Sequence, residues 1–183
     1  MKNIIAIVAA ILIISTINAQ ESKEPSTMFD QVLLQKGSLI IKEFFPFGNF
    51  NKIQGEIAVL TDVNTGNKTY ALRVTSSYYN SQYDNGEVSA IFDAKEINSA
   101  IESLEFMLKR INEITDSAPY TEIIYRGNGE PQFGFYVSGK DKKGFFKLNY
   151  KVSVYFEVYQ FIQLKTFFES AKSKITELGG SIN

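Results

Sequence analysis

The chain contains no histidine, no cysteine and no tryptophan among its 183 residues. The missing histidine removes Ser-His-Asp and Cys-His nucleophile systems, histidine-ligated zinc and the usual general base. The missing cysteine removes thiolate chemistry, soft-metal sites and disulfide staples. Carboxylates, lysine, tyrosine, serine and threonine are what remain for chemistry. Net charge is also scarce, with 20 acids against 19 bases. A near-neutral chain has no long-range field to gather phosphates, which argues against a dedicated nucleic-acid binder. No catalytic residue, cofactor or metal ligand is expected from this inventory.

What the chain does have is apolar and aromatic mass. Hydrophobic residues make up 44%, and the aromatics are 15 Phe and 10 Tyr. That composition supplies a packed core without cross-links. The first twenty residues, MKNIIAIVAAILIISTINAQ, form a separate object. Lys2 opens it, an apolar run covers residues 4–14, and Ala19 puts a small residue at the expected cleavage point. The run is short for a bilayer span, so residues 1–19 are expected to be a secretory signal peptide, leaving no membrane anchor after cleavage. The mature chain then carries 18 bases against 20 acids. Export without cysteine fits a periplasmic or extracellular location.

Residues 20–36 are expected to form a disordered lead-in or a short helix. Thr27 with Asp30 three positions on is a helix-start pattern before Val32, Leu33 and Leu34. From residue 37 the chain becomes β-rich. SLIIKEFF (38–45) has the β-branched and aromatic density of a strand, and Pro46 and Gly48 are expected to stop it. Runs at 55–63, 69–77 and 88–92 follow, with a hairpin turn at 64–67 and a polar loop at 80–86. The period then changes. Ile97, Ala100, Leu104, Met107, Ile111 and Ile114 are spaced 3, 4, 3, 4 and 3 apart, which paints one face of a helix ending before Pro119.

The second half follows the same plan. Strands are expected at 122–126 and 132–138, with a turn at 127–131 between them. A charged turn (GKDKKG, 139–144) leads to one long strand at 145–156. A helix then carries Phe161, Leu164, Phe168, Ala171, Ile175 and Leu178, each 64 residues after its counterpart in the first helix. Turn 64–67 falls onto 128–131, and Val88-Ser89 onto Val152-Ser153, at the same offset. The expected fold is α+β: a tandem β-β-β-α repeat, antiparallel sheets packed against two long amphipathic helices. The repeats occupy about 37–118 and 119–183 of a single domain.

Four clusters carry possible function. Asp93 and Glu96 stand at a strand-to-helix junction, with Glu157 and Gln160 at the equivalent place. Paired carboxylates can hydrolyse glycosides, but this spacing favours helix capping, and the second pair has lost an acid at Gln160. Asp84-Asn85-Gly86-Glu87 lacks the ligand ladder of a calcium loop and reads as a turn. The recognition candidates are Tyr78, Tyr79 and Tyr83 in a tyrosine- and amide-rich loop, with Lys142, Lys143 and Phe145 in a basic-aromatic stretch that also holds Lys140, Phe146 and Lys147. Packing at a strand end and a solvated hairpin tip are the plainer readings of these two stretches.

The segments GSLIIKEFFPFG (37–48), VLTDVNTGNKTYALRV (59–74), IFDAKEINSAIESLEFM (91–107) and YTEIIYRGNGEPQFGFY (120–136) together resemble a loose family of uncharacterised exported bacterial proteins. That resemblance implies export and no particular activity. The duplicated layout is similar to that of the Whirly single-stranded-DNA binders, in architecture alone. The expectation is an exported, non-enzymatic binding protein with a protein or glycan partner and no nucleic acid. A carboxylate-dependent glycan hydrolase and a nucleic-acid module of Whirly-like layout are the alternatives.

Overall fold

The computed structural model describes residues 27–182; the expected signal peptide and residues 20–26 of the lead-in lie outside them. The chain is α+β, with two antiparallel four-stranded sheets. Helix α1 (Met28–Leu33) comes first, capped by the Thr27 hydroxyl, which accepts from the Asp30 amide at 3.0 Å. Sheet A contains β1 (Ile40–Phe50), β2 (Ile53–Asp62), β3 (Lys68–Ser81) and β4 (Asp84–Asp93), in that order. Helix α2 (Glu96–Glu113) follows. Sheet B contains β5 (Thr121–Arg126), β6 (Gln132–Ser138), β7 (Asp141–Lys147) and β8 (Ser153–Glu157), again in chain order. A single 3-10 turn (Val158–Gln160) leads into α3 (Phe161–Glu177).

Four strands, not three, therefore precede each of the helices α2 and α3. In the first half the extra strand is β1, which pairs with β2 along its whole length. Pro46 and Gly48 do not end it. They sit at a register shift, and β1 is an edge strand where a missing N–H costs no ladder bond. In the second half, 145–156 is not one strand but a hairpin. The Asn149 Oδ1 accepts from the amides of Lys151 and Val152 at 2.8 and 3.1 Å, which turns the chain between β7 and β8. The polar loop expected at 80–86 shrinks to Gln82 and Tyr83 between β3 and β4. The charged turn at 139–144 shrinks to Gly139 and Lys140, and the lysines after it join β7. Turns 64–67 and 128–131 are not equivalent, because one joins β2 to β3 and the other joins β5 to β6.

The helical periodicity translates directly into burial. Ile97, Ala100, Leu104, Met107 and Ile111 of α2 are buried, as are Phe161, Leu164, Phe168, Ala171 and Ile175 of α3. These faces meet the inner faces of both sheets in one contiguous core. At its centre the Phe168 ring lies 5.3 Å from Phe92 of sheet A and 5.4 Å from Phe133 of sheet B. The Phe92 contact is edge-to-face, the geometry that ring quadrupoles favour. Gly55 on β2 lets α3 approach closely, since a Cβ there would stand 2.6 Å from the Phe167 ring.

Helices α2 and α3 are each stapled at the C-terminal end to the sheet of the other half. Lys142 of β7 donates to the carbonyls of Ile111 and Ile114 at 3.3 and 2.6 Å, satisfying orphan acceptors at the end of α2. The Tyr70 hydroxyl of β3 donates to the Leu178 carbonyl at 3.0 Å beyond α3. The sheets differ on their outer faces. Phe29 of α1 covers Ala58, Leu60 and Ala71 on sheet A, in a small second apolar cluster. Sheet B has no such roof among the described residues. No described helix is long and apolar enough to cross a membrane.

Candidate functional site

The carboxylate pair is a structural junction. Asp93 and Glu96 are 2% and 6% exposed. Asp93 is a helix cap, but of α1 and not of α2: its carboxylate accepts from the Met28 and Phe29 amides at 2.8 and 3.2 Å. The sequence reading missed this because the capped helix lies 65 residues upstream. Glu96 accepts from the Asp93 amide at 2.8 Å through Oε2 and from the Asn128 amide at 2.6 Å through Oε1. It thus ties the end of β4 to the β5–β6 turn. Burial pushes the Glu96 carboxyl above the ordinary carboxylate range, against the pull of those two N–H donors. With their oxygens engaged by backbone amides, the two acids do not face one another across a cleft as glycoside hydrolysis needs. Glu157 and Gln160 form a reciprocal capping box at the start of α3.

Asp84, in the oxygen-rich stretch 84–87, is an ion-pair partner. Its carboxylate accepts from Asn80 Nδ2 at 3.0 Å and pairs with Lys151 Nζ at 3.1 Å; the Asn80 bond first, then Lys151, hold it below its ordinary pKa. Among the described residues no group of three or more His, Cys, Asp or Glu could hold a metal ion.

The tyrosine candidates lie at a meeting of two hairpin tips. Tyr78 and Tyr79 belong to β3, and Tyr83 is in the turn. Lys151, from the β7–β8 tip, donates to the Tyr78 hydroxyl at 3.2 Å as well as to Asp84. Its Nζ is 4.9 Å from the Tyr78 ring centroid, so it sits at the hydroxyl end of that ring and not over its face. Tyr78 first, then Asp84, push the Lys151 ammonium well above its ordinary pKa. Tyr78 is therefore a half-buried strut between the tips. Tyr79 and Tyr83 are 75% and 94% exposed, and Tyr150, beside Lys151, is 81% exposed.

The basic-aromatic stretch divides between two roles, because alternate residues of a strand face opposite ways. Lys142 points inward and caps α2, so it is not a surface candidate. Lys143 and Phe145 share the outer face of sheet B, but Phe145 is buried there and is not an exposed recognition residue. Register places Lys143 opposite Tyr136 and Glu157, and Phe145 opposite Gly134 and Tyr155. Lys143 pairs with the Glu157 carboxylate, which raises its pKa. Gly134 has no room for a side chain, since a Cβ would stand 2.1 Å from the Ile123 carbonyl oxygen.

Sequence reasoning missed Lys151, Tyr150 and Tyr155. Reading 145–156 as one strand hid the Asn149-Tyr150-Lys151 tip. An asparagine at the break of a period-two pattern was the available signal. A groove between β1 and α3, lined by Phe47, Phe50, Ile162, Thr166 and Ser170, includes none of the candidate residues. Comparison with protein-family models, with curated proteins and with solved structures returns no match for this chain.

Proposed function

We infer that this chain is an exported, non-enzymatic binding protein that engages a protein or glycan partner through tyrosines presented by its hairpin tips and sheet. One observation carries the reading: Tyr79, Tyr83 and Tyr150 stand 75%, 94% and 81% exposed on two hairpins that Lys151 locks to each other. Large aromatic surface held on a braced scaffold loses little side-chain freedom on binding, which is how recognition surfaces gain affinity. The architecture that supports the tips is a tandem repeat of a four-stranded sheet and an amphipathic helix. The matched helix faces at an offset of 64 and the crossed staples at Lys142 and Tyr70 favour it. Export rests on residues 1–19 and on the resemblance to exported bacterial proteins, and it points to the periplasm or the exterior.

The test compares the full chain with the triple variant Tyr79→Ser, Tyr83→Ser, Tyr150→Ser as bait in extracts of the host's envelope and culture medium. A partner captured by the first, lost with the variant and accompanied by an unchanged melting temperature is the expected result. Equal capture by both baits would defeat the reading. Glycan hydrolysis abolished by Asp93→Asn would replace it with the hydrolase alternative. Salt-sensitive binding to single-stranded DNA would favour a nucleic-acid module of Whirly-like layout.

A further inference from the structure

The chain contains two Asn-Gly pairs, Asn85-Gly86 and Asn128-Gly129, followed by Glu87 and Glu130. Asparagine is thermolabile, and most so before glycine, which has no side chain to hinder its own amide nitrogen. That nitrogen attacks the asparagine Cγ. An N–Cγ bond forms, the Cγ–Nδ2 bond breaks, and ammonia leaves with the proton that the amide gives up. Water then opens the resulting succinimide ring at either carbonyl, leaving aspartate or isoaspartate. No catalyst or oxidant is needed. Both pairs sit in the same Asn-Gly-Glu sequence, so the fold decides which of them reacts.

The first pair is held and the second is free. Asn85 and Gly86 are strand residues of β4, opposite Tyr79 and Tyr78. The Asn85 Nδ2 donates to the Ser81 and Gln82 carbonyls at 3.3 and 3.0 Å. The Tyr78 ring lies against Gly86, where a Cβ would stand 3.5 Å from it. Turning the Gly86 nitrogen onto the Asn85 Cγ would break those bonds and the strand pairing around them. Asn128 and Gly129 lie between β5 and β6, in a turn that the Gly127 amide closes by donating to the Pro131 carbonyl at 3.0 Å. Asn128 is exposed, and among the described residues neither its side chain nor the Gly129 amide makes a hydrogen bond. Nucleophile and electrophile are both unengaged there. Glycine at 129 also has a packing reason, since a Cβ would stand 3.3 Å from the Ile91 carbonyl oxygen.

We propose that Asn128-Gly129 is a site of spontaneous deamidation and isomerisation, and that its conversion loosens the junction built on Glu96. Among the described residues the one hydrogen bond of Asn128 is that of its amide to Glu96 Oε1 at 2.6 Å. Isoaspartate sends the main chain through Cβ and Cγ, adding a methylene to a turn whose ends are fixed by the pairing of β5 with β6. It also leaves a carboxylate on Cα, next to that amide and so close to the Glu96 carboxylate, where like charges repel. Aspartate adds the same charge without the extra methylene. Either product weakens the bond by which Glu96 ties β4 to the β5–β6 turn, and the loss of ammonia makes the change irreversible. The chain thus carries a chemical timer on the contact between its two sheets, at a site separate from the hairpin tips.

The test ages the full chain in mildly alkaline buffer, folded and, in parallel, unfolded in urea. Tryptic peptides 74–95 and 127–140 each hold one of the pairs, and mass spectrometry against unaged chain follows the exchange of amide for acid in each. Fragment ions separate Asn85 from Asn80 in the first peptide. In urea the two sites should convert at similar rates. In the folded chain Asn128 should stay within about threefold of its unfolded rate, while Asn85 slows by about tenfold or more, the cost of opening the hairpin arm. An isoaspartyl methyltransferase should label the aged folded chain, and Asn128→Ser should abolish that label. Converted chain, separated by anion exchange on its added negative charge, should unfold at a lower urea midpoint than unconverted chain from the same sample. Asn128 slowed as much as Asn85, Asn85 reacting faster, or a label that survives Asn128→Ser overturns the site. Equal urea midpoints for converted and unconverted chain overturn the loosening of the junction.

Discussion

Glu96 opens α2 and Gln160 stands immediately before α3, yet one is an acid and the other an amide, and the structure explains the difference. Two backbone donors converge on Glu96, from Asp93 and Asn128, so both of its oxygens must accept. Gln160 meets one donor and one acceptor: its Oε1 accepts from the Glu157 amide at 3.0 Å, and its Nε2 donates to Asn51 Oδ1 at 3.2 Å. Glu96→Gln would turn one acceptor into an NH2 facing an N–H. A hydrogen bond to a charged group contributes about 1.5–3 kcal/mol, and a buried unsatisfied N–H costs about 1–3 kcal/mol. Relief of the buried charge offsets part of this, leaving a net loss of about 2–3 kcal/mol at pH 7. For a chain of this size that lowers Tm by roughly 5–10 °C. Urea melts followed by circular dichroism measure it, with the midpoint falling and the slope m unchanged.

The pH dependence of that loss has a definite sign. Burial raises the Glu96 pKa in the folded state, so between about pH 4.5 and the folded value the native protein holds a proton that the unfolded chain has released. Stability from this group is present in full below about pH 4.5 and is lost as pH rises through the folded pKa. The variant lacks this slope, so its deficit should be larger at pH 4 than at pH 7. Gln160→Glu, at the exposed site, should cost less than about 1 kcal/mol. A Glu96→Gln variant within about 0.5 kcal/mol of the wild type would refute the two-acceptor argument, and a deficit that grows with pH would refute the upward shift of the Glu96 pKa.

Other positions give sharp expectations. Phe168→Ala removes the ring that joins Phe92, Phe133 and Phe146, and should cost about 3–5 kcal/mol in urea melts. Lys142→Met keeps the apolar stem but leaves the carbonyls at the end of α2 without their donor, and should cost about 1–2 kcal/mol. Lys140→Met, at the exposed turn two residues earlier, should change stability by less than about 0.5 kcal/mol, and equal effects at the two sites would refute a capping role for Lys142.

Much of this architecture was legible because period and composition report on burial. The six apolar positions of each helix appear as stripes in the sequence, and ten of those twelve residues are the buried faces of α2 and α3. Strand limits were less legible, for a reason visible at Pro46: a proline forbids a central strand but not an edge one, and edge status is a tertiary fact. The same holds for the loop expected at 80–86, where polar residues on an exposed hairpin arm resemble a loop although Ser81 pairs with Asp84, and Asn85 and Gly86 pair with Tyr79 and Tyr78.

The functional candidates show why composition alone divides a surface badly. Lys142 and Lys143 are chemically identical neighbours, but strand alternation sends one inward to cap α2 and the other outward to the tyrosine face. A basic cluster in a strand is therefore two half-clusters on opposite sides of a sheet. The face it does supply is completed by residues the sequence leaves scattered: Arg126 and Tyr120 come from β5 and the approach to it, Tyr136 from β6 and Tyr155 from β8. Sheet register, not proximity along the chain, assembles the surface. The local pairing of Lys143 with Glu157 then leaves Arg126, Lys147 and the acid Glu122 as the charges of that face without an ion pair among the described residues.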